Sequence, residues 1–150
     1  MAMPAPFGWV IDARHDHTCS AWLYQRGLTL DQAMGRNEWM YVKFSIRDEK
    51  VPDLDALLEI HDGYTMEHRP DTQKSFLAAA RREDGANTLI RCYKTAAYPV
   101  PEYTGFVEFE KFIFFCCLFS PVELEERNLR KLRYILRSVL PINISFKERS

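Results

Sequence analysis

The stretch FIFFCCLF, Phe112 to Phe119, is apolar at eight consecutive positions, and such a run must be buried on both of its faces. It is too short to cross a bilayer as a helix, which takes about 20 residues. Just before it, Glu108 and Glu110 alternate with Val107 and Phe109. This pattern predicts one strand that enters a sheet from solvent and ends fully covered, hence a central strand. Cys116 and Cys117 would point to opposite faces of it, which suits small core residues better than joint ligands of one ion. With Cys19 and Cys92, the four cysteines form neither a CxxC pair nor the dense spacing of a secreted disulfide scaffold.

The run leads into SPVELEERNLRKLRYILRSVLP, where the start of a helix is written three ways. Ser120 is a good N-cap, Pro121 occupies the first helical position, and Glu123 completes a Ser-x-x-Glu capping box. Val122, Leu129, Leu132, Leu136, Val139 and Leu140 fall on one face at helical spacing, Arg127, Arg130, Lys131 and Arg137 fall opposite, and Pro141 stops the helix. Elsewhere, EWMYVKFSIR reads as a strand with Met40, Val42, Phe44 and Ile46 on one face, NTLIRCYK as another, and INISFK as a last one. Asp53 caps a helix LDALLEIHD that Gly63 ends, and a second helix is expected from about Asp71 through SFLAAARRED to Gly85. The prolines of AAYPVPEYTG, Pro99 and Pro101, predict a loop.

From Glu38 onward, the order strand, helix, strand, strand, helix, strand predicts an α+β chain of ferredoxin-like βαββαβ arrangement. Its antiparallel sheet would carry helices on one face. Residues 1–37 would add an N-terminal β-hairpin, WVIDA and CSAWLYQ flanking the polar RHDH, and a short capped turn at TLDQAMG. At 150 residues and 47% hydrophobic, the chain fits a single domain over 1–150, with an extension over 1–37 and a core over 38–150. MAMPAPFGW lacks a basic region and an apolar stretch of signal length, so a cytosolic location with no membrane partner is expected.

The formal net charge of −1 argues against a protein built mainly to hold nucleic acid, but the charge is unevenly spread. From Arg127 to Ser150 there are seven Lys or Arg against one Glu, while the preceding residues are net acidic. The basic face of the last helix can therefore meet RNA, DNA or an acidic protein, or simply be the solvated side of an amphipathic helix. No Gly-rich aromatic motif of the common RNA-binding type accompanies it, which makes nucleic acid the lesser reading.

RHDHTC places His15, His17 and Cys19 two residues apart. An extended chain would set all three on one face, able to hold a metal with His61 or His68 as a fourth ligand. Four polar residues between two apolar runs are also how a hairpin loop is written, and that reading is preferred. HDG at His61 to Gly63 reads as the end of a helix, and EHRPD, Glu67 to Asp71, as a charged connection. There is no phosphate-binding Gly-rich loop, GxSxG elbow, HExxH or zinc-finger spacing, and no cofactor is expected. Catalysis is disfavoured but not excluded, because acid–base sites assembled from distant residues leave no linear trace.

These features favour a non-catalytic factor that binds another protein, as an inhibitor, immunity-type factor or adaptor. The candidate contacts are Arg127, Arg130, Lys131 and Arg137 together with Trp39, Tyr41, Tyr98 and Tyr103, since Tyr, Trp and Arg are favoured at interfaces. The alternatives are nucleic-acid binding through the basic helix and a metal-dependent hydrolase or metal-binding module built on His15, His17 and Cys19. A homodimer through an edge strand INISFK is a further expectation.

Overall fold

The computed structural model describes residues 5, 6, 8–13, 20–36, 38–95, 98–120 and 125–140. Its elements are β1 (Trp9–Asp12), β2 (Ser20–Gln25), α1 (Leu30–Arg36), β3 (Trp39–Ile46), α2 (Leu54–His68), β4 (Gln73–Arg81), β5 (Asn87–Thr95), β6 (Tyr98–Glu108), β7 (Phe112–Phe119) and α3 (Glu125–Ser138). All seven strands join one sheet in the order β1-β2-β3-β7-β6-β5-β4. Every neighbouring pair is antiparallel.

The run that is apolar on both faces becomes β7, the middle strand, because both of its faces are covered. Phe114, Cys116 and Leu118 pack in one cluster with Met40 and Val42 of β3 and with Leu129, Leu132, Ile135 and Leu136 of α3. Ile113 points the other way and joins Phe106 of β6 with Leu57 and Leu58 of α2. Each such side chain contributes about 1.5–3 kcal/mol when fully buried.

This arrangement corrects the ferredoxin-like expectation in two respects. Helices lie on both faces of the sheet, and the order from Trp39 onward is βαββββα rather than βαββαβ. The N-terminal strands pair with each other and β2 then pairs with β3, so they are outer strands of the same sheet and not an appendage to a separate core.

Three local departures account for the difference. The segment expected as a helix up to Gly85 is mostly β4, paired with β5 from Gln73↔Lys94 to Arg81↔Asn87. Its alanines favour helix, but the hairpin turn is strongly specified. Gly85 takes φ +88°, Arg82 N–H donates to Ala86 O at 2.8 Å, and Ala86 N–H donates to the Asp84 carboxylate at 3.1 Å. The expected Pro loop is the beginning of β6. Its prolines precede Glu102, where regular pairing with both neighbours starts, so their missing N–H groups interrupt no ladder. The expected single strand through FVEFEKFIFFCCLF is a hairpin of β6 and β7. It reverses at Glu110 and Lys111, with Phe109 N–H donating to Phe112 O at 2.9 Å.

α2 begins at the Asp53 cap, whose carboxylate accepts from Ala56 N–H at 2.9 Å. It runs through Gly63 to His68, because Gly63 keeps a helical backbone and only Gly8, Gly27 and Gly85 among the described glycines have positive φ. α1 starts with a reciprocal cap. Gln32 N–H donates to Thr29 Oγ1 at 3.2 Å, and Thr29 N–H donates to Gln32 Oε1 at 2.9 Å. Pro121, Val122 and Glu123 lie outside the described residues, as does INISFK.

α3 approaches β6 closely at Gly105, where an added Cβ would lie 3.0 Å from Leu136 Cδ1 and 3.1 Å from its Cδ2. Leu136 is itself locked in the core. Gly105→Val should therefore overpack this contact and cost about 1–3 kcal/mol in urea unfolding, whereas an unchanged midpoint would show that α3 shifts freely.

Candidate functional site

On the α2 face, α2 covers β6 and β7 near Phe106 and Ile113 but leaves the neighbouring aromatic part of the sheet open. The result is a groove of about 600 Å³ between α2 and the sheet, a volume within the range of pockets that seat ligands or anchoring side chains. Strand alternation builds its floor. Trp39, Tyr41 and Lys43 of β3 face it, opposite Phe119, Cys117 and Phe115 of β7 respectively. Trp22 of β2 lies across from Tyr41.

The rings support one another. Trp39 stacks on Phe119 with centroids 4.1 Å apart, Trp22 is 5.5 Å from Tyr41, and Tyr41 meets Phe115 edge-on at 6.1 Å. On the opposite wall α2 presents Ile60 and Tyr64, respectively 53% and 61% exposed. The groove is thus a partly desolvated aromatic surface with two large apolar side chains at its rim.

Its deep end is polar. Glu102, 2% exposed, accepts from Arg69 at 3.2 Å, and His61 Nε2 lies 3.6 Å from the other carboxylate oxygen, too far for a hydrogen bond. Neither His61 Nε2 nor the hydroxyl of Thr65, one helical turn further on, has a hydrogen-bond partner among the described residues. Burial against Tyr93, Phe106 and Phe115 holds His61 below its ordinary pKa despite the nearby Glu102 and Asp62, so the ring is neutral at pH 7.

The adjacent Asp62 anchors α2 to the outer strands. It accepts from Lys74 at 2.7 Å, Arg91 at 3.0 Å and the Tyr93 hydroxyl at 2.8 Å. Partial burial alone would raise its pKa, but these donors outweigh that effect and lower it. Cys117, on the groove side, is kept a thiol by burial, and the Cys116 thiol on the α3 side is pushed up to about 12. The groove thus joins an aromatic floor to a buried neutral imidazole, a carboxylate paired with Arg69 and a thiol held protonated by burial.

The residues expected to bind a partner fall into different places. Trp39 and Tyr41 are half-buried in the groove. Tyr103 is 2% exposed and belongs to the cluster under α3, so it has no surface to offer. Tyr98 opens β6 opposite Thr95, and its side chain lies outside what is described.

The basic helix is also less free than its sequence implies. Arg127 donates to Glu38 at 2.6 Å, Lys131 also donates to Glu38 and sits 4.6 Å from the centre of the Trp9 ring, and Ser120 adds a third donor at 2.7 Å. Burial raises the Glu38 pKa, but the three donors outweigh it and hold the carboxyl below its ordinary range. Arg130 and Arg137 remain exposed.

His15, His17 and Cys19 lie outside the described residues, and those described contain no cluster of His, Cys, Asp and Glu suited to a metal. Of the two proposed fourth ligands, His61 faces the groove, and His68 Nδ1 is bonded to Tyr64 O at the end of α2. Sequence reading missed His61, Thr65, Arg69 and Glu102 as a group because they come from two elements more than 30 residues apart. Glu102 was masked by its place just after Pro101 in an expected loop.

No protein-family model matches the chain, and no curated protein matches its sequence. Among solved structures, it resembles the cyanobacterial PsbP (CyanoP) from Synechocystis sp. PCC 6803, with 14% identity and a TM-score of 0.55 over 89% of this chain and 81% of that one. It also resembles the Saccharomyces cerevisiae Ran-binding protein Mog1p, with 13% identity and a TM-score of 0.51 over 89% of this chain and 82% of that one. At these identities the likeness is one of fold, and it agrees with the seven-stranded antiparallel sheet rather than a ferredoxin-like core. Among the described residues no helix is long and apolar enough to cross a membrane.

Two outcomes follow from the electrostatics. Glu38→Gln should cost about 1–3 kcal/mol with an unchanged urea m-value, because it strips the charge partner from Arg127 and from the mostly buried Lys131. A cost near zero would mean that the cluster is only solvated decoration. For His61, a folded-state pKa below the ordinary 6.5 means that its stabilising contribution is complete above that value and is lost as pH falls through the folded value. Between about pH 7.5 and about pH 5 the melting temperature of the wild type should therefore fall more than that of His61→Gln. Parallel curves would show that the ring is not desolvated.

Proposed function

We propose that this protein is a non-catalytic binding factor that receives an apolar or aromatic segment of a protein partner in the groove beside α2. The observation that carries this reading is the joining of the ringed floor, Trp22, Trp39, Tyr41, Phe115 and Phe119, to the exposed Ile60 and Tyr64. Contiguous aromatic surface of this kind, rimmed by polar groups, is the composition of binding hot spots. His61, Arg69 and Glu102 give the groove a polar end, which limits how far an apolar segment can enter it.

A fold shared with a Ran-binding protein supports a binding role without naming the partner. An inhibitor, an immunity-type factor and an adaptor would all bind in this way, and the partner's own activity distinguishes them. The basic helix ranks below the groove as the primary surface, since Arg127 and Lys131 are already engaged with Glu38.

The test is retention of a stoichiometric partner from native cells at moderate salt. Ile60→Asp combined with Tyr64→Asp alters exposed positions and should weaken retention roughly tenfold or more, with circular dichroism unchanged. Lys50→Glu, on an exposed turn away from the groove, should leave it intact. Equal retention by the groove double variant would refute the reading.

A further inference from the structure

β4 ends the sheet on one side and, among the described residues, pairs only with β5. Its nine residues thus present a row of backbone N–H and C=O groups along the outer edge. On the side facing α3, Ala78 and Ala80 of β4 with Ile90 and Leu136 floor a notch of about 150 Å³. Arg133 and Arg137, both exposed on α3, stand beside it, and neither forms an ion pair among the described residues.

The geometry points to this edge as a docking site for an extended acidic segment of a protein partner, added as an eighth strand alongside β4. Three features converge on that occupant. The open edge supplies main-chain hydrogen bonds in strand register, as in β-augmentation. The alanine notch leaves room for one apolar side chain. Acidic side chains at the alternate positions on either side of that residue face α3, where the two guanidiniums offer bidentate charge-assisted bonds.

Charge selects against the competing occupants. A second copy pairing through β4 would bring the basic Lys74 and Arg81 and no acid, since QKSFLAAAR contains none. A nucleic acid would satisfy the arginines, but it would leave the strand edge and the apolar notch unused. The notch lies on the opposite face of the sheet from the aromatic groove, so its failure would leave the groove reading untouched.

The experiment is fluorescence anisotropy with a labelled heptapeptide in which two glutamates flank a valine at alternate positions. The expected result is saturable binding that weakens roughly tenfold or more in the Arg133→Glu, Arg137→Glu variant and in the milder Arg133→Ala, Arg137→Ala variant. Methylating the peptide's strand-pairing backbone nitrogens should abolish binding. Any of four results would overturn the proposal: no binding of the glutamate peptide, equal binding of a version with lysines in place of glutamates, indifference to both arginine variants, or binding of oligothymidine in preference to the peptide.

Discussion

Burial of β7 on both faces is the constraint from which the remaining architecture follows. A strand carrying Ile113, Phe114, Cys116 and Leu118 in sequence cannot leave either face to water, so the chain must supply a layer on each side. α3 meets this need on one face, where its leucines and Ile135 pack so closely that β6 has glycine at position 105. α2 meets it on the other, but its 15 residues cover only part of the sheet. The uncovered aromatic area is the groove, which is thus a direct consequence of one helix being asked to cover a wide sheet.

Polar contacts fix the position of each helix where apolar packing alone would allow sliding. Asp62 ties α2 to Lys74, Arg91 and Tyr93. Glu38 ties α3 to the start of β3 through Arg127 and Lys131. Both carboxylates are partly desolvated yet held ionised by several donors at once, which makes them registration points more than sources of net stability. The same economy explains the basic helix, whose charges are divided between an internal anchor and the exposed Arg130, Arg133 and Arg137.

Much of this structure was legible in local patterns. The alternation in WMYVKFSI correctly separates Met40 and Val42, which face α3, from Trp39 and Tyr41, which line the groove. The helical spacing of Leu129, Leu132 and Leu136 marks the buried stripe of α3. What local pattern could not supply was long-range pairing. The alanines of LAAAR favour a helix until β5 claims them as a strand. The reversal at Glu110 and Lys111 carries no glycine or proline to announce it. With one strand missing at β4, another at β6 and a turn unseen, a six-element order βαββαβ is expected where the described chain from Trp39 onward has the seven elements βαββββα. The polar end of the groove was illegible for the same reason, since His61 and Thr65 meet Glu102 only once α2 lies across β6.

The three tryptophans offer built-in reporters of where a partner sits, because Trp22 and Trp39 line the groove and Trp9 packs against the α3-side cluster. Two-dimensional NMR of their indole N–H groups, recorded as the captured partner is titrated in, distinguishes the two faces in one spectrum. Docking in the groove should move the Trp22 and Trp39 resonances and leave Trp9 in place. A shift confined to Trp9, with Trp22 and Trp39 unmoved at saturation, would contradict the groove as the binding surface.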